Sequence, residues 1–398
     1  MYTTEGRELL EWIDVEGPAL APMPPRYQGR VMVHVIHDGD VIPETFLWDR
    51  DGKRIPEEIF LGRHVAERDW GAGLVAGEIA RAMGLGGYNS VSIARVLMDF
   101  GRFPGSTAGT IGHLLRYAIN HPFSELLDHR QKRLLLADWY DALSRAFDSR
   151  VRGKLLTVAV HTYDPRNSNG TLRPKVSLIN RVDGFDHDAP VTHTAFDPLY
   201  PHILGEFTAH RVLRDRISLT LERRGIGVGH DYPYLLPEGS IEVRGQVWSF
   251  FDWVGRRFTQ AYPETLTDPS YHMVWEMLLD TNHRSSTSAA LRAYLHRYRT
   301  APDGRERAFA GARDAYERVA AFIRADDHRI VEEFRFSPHR PSFLGIEVRK
   351  DVVMEFDDRG RPAGPRQDAA KHLGEAIAEA ISHYLAEDRP LQKRVATR

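Results

Sequence analysis

The sequence predicts an α/β fold in which a mostly parallel or mixed central sheet carries helices on both faces. One observation is that short, β-branched apolar runs alternate along the chain with longer segments whose apolar residues recur at helical spacing. This alternation is typical of strands and helices that follow one another in a parallel sheet. The other is composition: 398 residues, 42% hydrophobic and 27% charged, with a formal net charge of -2, which is ordinary for a globular chain.

The first part of the chain supplies two predicted strands and a predicted helix. Residues 31–40, VMVHVIHDGD, predict a strand covered on both faces that ends at His37 and a turn. Helical spacing over residues 64–83 predicts a helix. Residues 89–102 predict a strand that runs into a glycine-containing loop.

The middle of the chain continues the same alternation. Residues 123–148 predict one long amphipathic helix, and residues 154–162 predict a third apolar strand with His161 at its end. Residues 199–224 predict another helix, with its basic residues clustered late.

The last part of the chain predicts helices followed by a return to strand. Segments from about 270 to 299 and from 304 to 324 predict a helical pair joined by a Pro-Asp-Gly turn. Residues 343–356 predict a strand, and residues 367–386 predict a closing amphipathic helix.

These elements predict a division of the chain into three parts. Residues 1–29 form an extended lead-in, of which residues 18–26 contain four prolines. Residues 30–264 and 335–390 are predicted to form the main α/β domain, and residues 265–334 a helical insertion.

Composition excludes several classes of protein and site. The chain contains no cysteine, so disulfides, thiolate catalysis and cysteine-ligated metal sites are excluded. The near-neutral charge argues against a nucleic-acid partner. The amino terminus does not resemble a signal peptide, and no apolar run approaches membrane-spanning length. We therefore expect a soluble cytoplasmic protein without a membrane partner; the sequence carries no signal for its oligomeric state.

Two histidines occupy the position where an open α/β sheet binds ligands. His37 and His161 each lie at the carboxyl end of a predicted buried strand. If the strands are neighbours, the imidazoles converge, and two histidines with a carboxylate are a common catalytic zinc set. Either histidine alone is also a common core or loop residue.

Two further segments carry charged residues near predicted strand ends. In residues 345–351, GIEVRKD, side chains alternate between faces, so Glu347 and Arg349 share one face. They could serve as a general base and an anion clamp, or as an edge-strand ion pair. Arg95, Asp99 and Arg102 flank the end of the second predicted strand, and arginine suits bidentate recognition of a carboxylate.

Taken together, these segments resemble the N-formylglutamate amidohydrolase family, whose fold is similar to that of zinc carboxypeptidases. The likeness covers residues from about 30 to 260 and 340 to 390. In the family's order, 37-HDGDVIPE-44 resembles its His-Ser-Gly loop, 67-ERDWGAGL-74 its Asp-Trp-Gly-Ala-Asp helix start, 95-RVLMDFGR-102 its Arg-x-x-x-Asp-Leu-Asn-Arg signature, 161-HTYDP-165 its second-histidine motif, 231-DYPY-234 its Asn-x-Pro-Tyr loop and 345-GIEVRKD-351 its Glu-Ile-Arg-x-Asp strand.

The resemblance implies a metal centre that contains Zn²⁺ or another divalent metal. His37 and His161 would be ligands, together with one carboxylate. The candidates for that carboxylate are Asp40, which has the three-residue spacing of a carboxypeptidase-like ligand loop, and Glu44 or Asp69 from the neighbouring motifs.

The resemblance also implies roles for the remaining charged residues. Glu347 would act as the general base, and Arg102 or Arg349 would hold a substrate carboxylate, with Arg95 and Asp99 among the substrate-binding residues. The expected activity is metal-dependent hydrolysis of a small N-acyl amino acid or related amide.

Three positions depart from the family pattern and bear on the substrate. Asp38 stands where the family has serine, Gly101 where it has asparagine, and Gly73 where it has the second aspartate of the helix motif. We expect the metal and base chemistry to be retained, with a substrate other than formylglutamate.

Three other functions compete with this interpretation. The chain could be a carboxypeptidase-like hydrolase of a peptide, or a binding protein that retains the fold without catalysis. A nucleotide-binding enzyme is disfavoured because the glycines of 84–87 and 225–229 lack fingerprint spacing and are predicted turns. The aromatic stretch 247–258 predicts a buried helix rather than a base-stacking surface.

Overall fold

The computed structural model describes residues 8–107, 117–183, 195–297 and 300–387, apart from two side chains within the longest helix. Its main sheet has seven strands: β1 Leu10–Asp14, β2 Val31–Val35, β3 Gly87–Val91, β4 Leu156–Tyr163, β5 Val176–Ile179, β6 Val228–His230 and β7 Ser342–Arg349. A short second sheet pairs β8 Met354–Phe356 with β9 Pro362–Pro365.

Twelve α-helices surround the sheet within the described ranges: α1 Glu57–Glu67, α2 Ala72–Met83, α3 Phe123–Leu126, α4 His129–Leu134, α5 Asp141–Val151, α6 Arg211–Arg223, α7 Ile241–Ala261, α8 Pro269–Leu279, α9 Ser286–His296, α10 Glu306–Arg335, α11 Lys350–Val353 and α12 Gln367–Ala386. None of these helices is long and apolar enough to cross a membrane.

The main sheet is mixed, with the strand order β1-β3-β2-β4-β7-β5-β6. The four central strands β3, β2, β4 and β7 are parallel, β1 is antiparallel to β3, and β5 is antiparallel to β7. The predicted α/β class with a mostly parallel or mixed sheet is therefore confirmed. Parallel order brings the carboxyl ends of β2, β4 and β7 to one edge.

Helices cover both faces of this sheet, as predicted. On one face, α2, α6 and α12 bury a core that takes Val33 from β2, Val158 from β4 and Ile346 from β7. The opposite face packs against α5 and α7. Because side chains alternate along a strand, His161 and Glu347 point away from the first core and towards this second face.

Several predicted boundaries were wrong for identifiable local reasons. The helix expected over 64–83 is interrupted between α1 and α2, where Gly71 has a φ of 86° and begins α2. The strand expected over 89–102 ends at Val91. Within 123–148, a capping box of Asp128 and Gln131 begins α4, and a π-helical turn over 135–140 separates α4 from α5.

Boundaries in the second half also differ. The helix expected over 199–224 is a 3₁₀ turn, His202–Glu206, followed by α6. The strand expected over 343–356 bends into α11 after Arg349. The closing helix over 367–386 was predicted with its observed bounds.

The segment expected as a helical insertion contains α8, α9 and α10, and α10 is longer than expected. These helices pack on α7 in one shared core that includes Phe250, Val254 and Phe258. α7 contains the aromatic stretch 247–258 and buries its apolar side chains.

Candidate functional site

Polar side chains from five chain segments meet at the carboxyl edge of the sheet. His37 follows β2, and His161 lies within β4, the strand paired with β2. Asp69 lies in the turn between α1 and α2, and Asp99 lies in the loop after β3. Glu347 lies on β7 directly opposite His161 in the strand register.

Asp69 joins the two histidines in one cluster. Its Oδ2 lies 2.9 Å from His161 Nδ1 and 3.5 Å from His37 Nδ1. One ligand atom from each residue lies within 4.8 Å of the others, in an arrangement that could hold a metal ion. The imidazole ring centres are 5.0 Å apart. The cluster is thus a compact set of two nitrogens and one carboxylate oxygen.

Asp99 fixes the orientation of the His37 ring from the side opposite Asp69. Its Oδ1 lies 2.8 Å from His37 Nε2, and the Gly101 N–H donates to the same oxygen at 2.9 Å. A proton on Nε2 would be donated to Asp99, which leaves Nδ1 with its lone pair towards Asp69. The glycine permits this contact, since a Cβ on Gly101 would lie 3.2 Å from His37 Nε2.

Arg95 places one positive charge next to both aspartates of the site. Its guanidinium lies 3.4 Å from Asp69 Oδ1 and 3.2 Å from Asp99 Oδ2. Burial would raise the pKa of both carboxyls, but the histidines and Arg95 outweigh it and lower both pKa values below the ordinary range. Both carboxylates are therefore ionised at neutral pH, the state in which they bind cations.

His161 is protonated more readily than an ordinary histidine. Burial would lower its pKa, but the hydrogen bond to Asp69 and the charge of Glu347 raise the pKa to about 9. In the metal-free chain this proton occupies the ligand position, so metal binding should release it.

Glu347 combines burial with a free oxygen. It is 4% exposed, and the Tyr234 hydroxyl donates a hydrogen bond to Oε1. Oε2 has no hydrogen-bond partner among the described residues. Burial raises the pKa of Glu347 to about 7 against the lowering effect of His161. A carboxyl that titrates near neutrality is suited to accept and return a proton.

The cluster and Glu347 line the same cavity, which has a volume of about 680 Å³. Arg95 and Arg102 line it as well, and Tyr234 belongs to a wall formed by residues 232–237. Arg102 lies 3.9 Å from Asp99, at the limit of an ion pair, so it retains capacity to bind an anion.

Three candidate residues lie elsewhere. Asp40 faces Arg68 at 3.6 Å, and the half-exposed Glu44 lies 3.5 Å from Arg54. Neither belongs to the cluster with the histidines. Arg349 points away from the cavity lining, because its Nε binds Asp351 at 2.7 Å and its NH1 binds a main-chain carbonyl at 3.0 Å.

The structure adds to the site one residue that no sequence motif indicated. Glu242, in the first turn of α7, lines the cavity and is 5% exposed. The only available signal was an acidic residue between two apolar ones, Ile241 and Val243, at the start of a predicted buried helix. That pattern is common at helix amino termini.

Comparison with known proteins gives little further information. No protein-family model matches the chain, and no curated protein matches it. Among solved structures, N-formylglutamate amidohydrolase from Ralstonia eutropha JMP134 is 12% identical, with a TM-score of 0.47, over 95% of this chain and 98% of that one. A gene product from Agrobacterium tumefaciens is 14% identical, with a TM-score of 0.43, over 98% of this chain and 97% of that one. Similarities at this level bear on neither activity nor individual residues.

Proposed function

We propose that this protein is a metal-dependent hydrolase that cleaves the amide bond of a small N-acyl amino acid or a related amide. The observation that carries the proposal is the placement of His37, Asp69 and His161 in one cavity with Glu347. Two histidines and a carboxylate, with an acid beside them, are the residue types of hydrolytic zinc sites. The motif resemblance noted in the sequence supports the same activity.

The donor set fits a divalent metal. Zinc–ligand distances near 2.1 Å place neighbouring donor atoms of a tetrahedral site roughly 3.4 Å apart. Asp69 Oδ2 lies 2.9 and 3.5 Å from the two Nδ1 atoms. Asp99 binds the remote nitrogen of His37, as carboxylates commonly do behind metal-ligating histidines. His37, Asp69 and His161 would therefore hold the metal.

A divalent metal held by these residues would supply Lewis acidity, which lowers the pKa of water and polarises a carbonyl group. Glu347 takes the proton from the attacking water and returns it to the nitrogen of the departing amine. Tyr234 holds one oxygen of Glu347, so the other receives the proton. Arg102 binds a carboxylate of the substrate from the cavity wall.

The size of the cavity favours a small substrate over a long peptide. A volume of about 680 Å³ lies within the range of roughly 300–1,000 Å³ that is typical of small-molecule sites. Such a space has room for an N-acyl amino acid whose amide lies beside the cluster.

Replacement of Glu347 by glutamine tests the proposal. Glu347→Gln retains the metal ligands but cannot accept a proton, so we expect normal metal content and a loss of kcat of roughly 10²–10⁴-fold. The measurements are elemental analysis of the purified protein and amine release from a panel of N-formyl and N-acetyl amino acids. Glu355→Gln, at an exposed position on β8, is the matched control and should behave as wild type.

Two results would contradict the proposal. Normal turnover by Glu347→Gln would show that Glu347 is not the general base. A wild-type protein that binds no zinc, manganese, iron or cobalt, and gains no activity when they are added, would remove the metal site and leave a non-catalytic binding protein.

A further inference from the structure

The cavity contains a carboxylate that the proposed mechanism does not use. Glu242 is almost fully buried, yet it lines the cavity. Within the part of the chain that the structure describes, no group donates a hydrogen bond to its side chain or forms an ion pair with it. Its charge acts on His161, which already binds Asp69.

Glu242 lies deeper in the cavity than the proposed base. A Cβ built on Gly345 would lie 3.8 Å from Glu242 Oε1, so this oxygen lies against the glycine. Gly345 precedes Glu347 by two residues on β7 and faces the same side, roughly 6.6 Å further from the carboxyl edge of the sheet. Glu242 therefore lies beyond Glu347 as seen from that edge.

The side of Glu242 that faces β7 is small and apolar. Gly345 leaves space where another residue would place a side chain, and Ile179, which also lines the cavity, lies against this glycine. Ile179 is the direct strand partner of Gly345. This part of the cavity is thus an apolar recess with a carboxylate at its wall, a shape that accepts an aliphatic chain with a charged end.

A buried carboxylate without an ion-pair partner is unfavourable, and His161 acts on Glu242 only from beyond ion-pair distance. The amino terminus of α7 offsets this only partly, because the helix dipole contributes less than an ion pair does. A cation supplied by the ligand would offset the remainder. A neutral isosteric ligand would leave the carboxylate unpaired, and an acidic ligand would be repelled.

We propose that Glu242 is a specificity-determining residue that binds the ammonium or guanidinium group of an N-acyl basic amino acid. This proposal rests on the proposed function. The aliphatic part of the substrate side chain then packs in the recess beside Ile179. Arg102 binds the substrate carboxylate, and the amide lies beside His161 and Glu347. The substrate class is an N-acyl amino acid with a cationic side chain.

Kinetics with a matched pair of substrates test this assignment. Nα-formyl and Nα-acetyl derivatives of L-lysine and L-norleucine differ only in the terminal ammonium group. We expect the wild-type protein to favour the lysine derivative by roughly 10–100-fold in kcat/KM, the range for a hydrogen bond to a charged group. Glu242→Gln should abolish most of this preference.

A matched control removes another carboxylate from the same cavity. Asp164 lines the cavity but is 62% exposed and binds Lys350 at 3.0 Å. Asp164→Asn should leave the ratio of lysine to norleucine rates unchanged. Glu242→Asp, which keeps the charge on a shorter side chain, should retain a lysine preference and serves if the glutamine variant does not fold. Metal content and thermal melting verify each variant.

Calorimetric titration with L-lysine and L-norleucine gives a readout that does not need turnover. We expect L-lysine to bind wild type more tightly than L-norleucine, and Glu242→Gln to remove the difference. Hydrolysis without a Glu242-dependent lysine preference would overturn this inference and leave the proposed function intact. Glu242-dependent lysine binding without hydrolysis would overturn the proposed function and retain the cation site. If the protein neither hydrolyses these substrates nor binds L-lysine, both this inference and the proposed function are overturned.

Discussion

Asp99 shows how one side chain can set the chemistry of another without entering the cluster itself. Its Oδ1 binds His37 Nε2, and its Oδ2 binds Arg95. The first contact selects the ring nitrogen of His37 that faces Asp69, and the second keeps the carboxylate ionised. Asp99 is therefore a positioning residue for the proposed metal ligand.

Asp99→Asn should weaken metal binding while the ligands remain. The amide preserves shape but not charge, and loss of such a supporting contact typically lowers metal affinity by about 10–100-fold. Competition with a chromophoric chelator measures the zinc affinity directly. Asp40→Asn is the control, because Asp40 pairs with Arg68 outside the cluster. An equal loss of affinity in Asp40→Asn would identify Asp40 as a ligand after all.

Among the elements, the loop after β3 is held in place by two helical segments that are distant in sequence. Arg244 of α7 donates to the Phe100 carbonyl at 2.7 Å, and the Tyr140 hydroxyl donates to the Arg102 carbonyl at 2.8 Å. Arg244 also donates to the Tyr140 oxygen at 2.5 Å. The two carbonyls flank Gly101, whose N–H binds Asp99. The π-helical turn that ends at Tyr140 thus supports the loop that orients His37.

Tyr140→Phe should destabilise this junction. It leaves the Arg102 carbonyl and one Arg244 N–H without their partner, which costs about 1–3 kcal/mol in the free energy of unfolding. Urea denaturation measures the change. Tyr117→Phe is the control, since Tyr117 is 47% exposed, and it should alter the free energy by less than about 0.5 kcal/mol. Equal effects of the two substitutions would show that the hydroxyl of Tyr140 does not secure the loop.

Across the whole molecule, the helices of residues 265–334 stabilise a wall of the cavity. α8 and α10 pack on α7, which carries Glu242 and Arg244. Asp197, outside these helices, accepts a hydrogen bond from Tyr316 of α10 at 2.8 Å and lies 3.0 Å from His296 of α9. The assignment of this segment as an insertion stays a prediction. Its helices contact the site indirectly, because they pack on α7.

Phe258→Ala should therefore destabilise the folded chain strongly. Phe258 is fully buried, and its ring centre lies 5.5 Å from that of Tyr271, 5.8 Å from that of Trp275 and 5.3 Å from that of Phe322. Truncation of such a ring costs about 3–5 kcal/mol in the free energy of unfolding. Phe336→Ala, at a residue that is 38% exposed, is the size-matched control and should cost much less. Similar losses in denaturant titrations would refute a shared core between α7 and the following helices.

The sequence by itself determined the fold class, the closing helix and the two strands at whose carboxyl ends the histidines lie. Local patterns were sufficient because a buried strand has a continuous run of apolar residues, and the apolar residues of an amphipathic helix recur with a period of 3.6 residues. The rule that ligands lie at the carboxyl ends of parallel strands then placed His37 and His161 at one edge. Alternation along β7 placed Glu347 and Arg349 on one face, away from the core side chains.

Only the tertiary structure decided which carboxylate joins the histidines, and which charged groups face the cavity. Asp69 lies in a turn whose position depends on how α1 and α2 pack, so its distance from His161 is not encoded by local spacing. Arg349 bends away because β7 ends there and Asp351 binds it. Glu242 lies against Gly345, a hundred residues later in the chain, where α7 packs on β7. The Asp69–His161 and Glu242–Gly345 contacts join residues far apart in the chain, and packing fixes such distances.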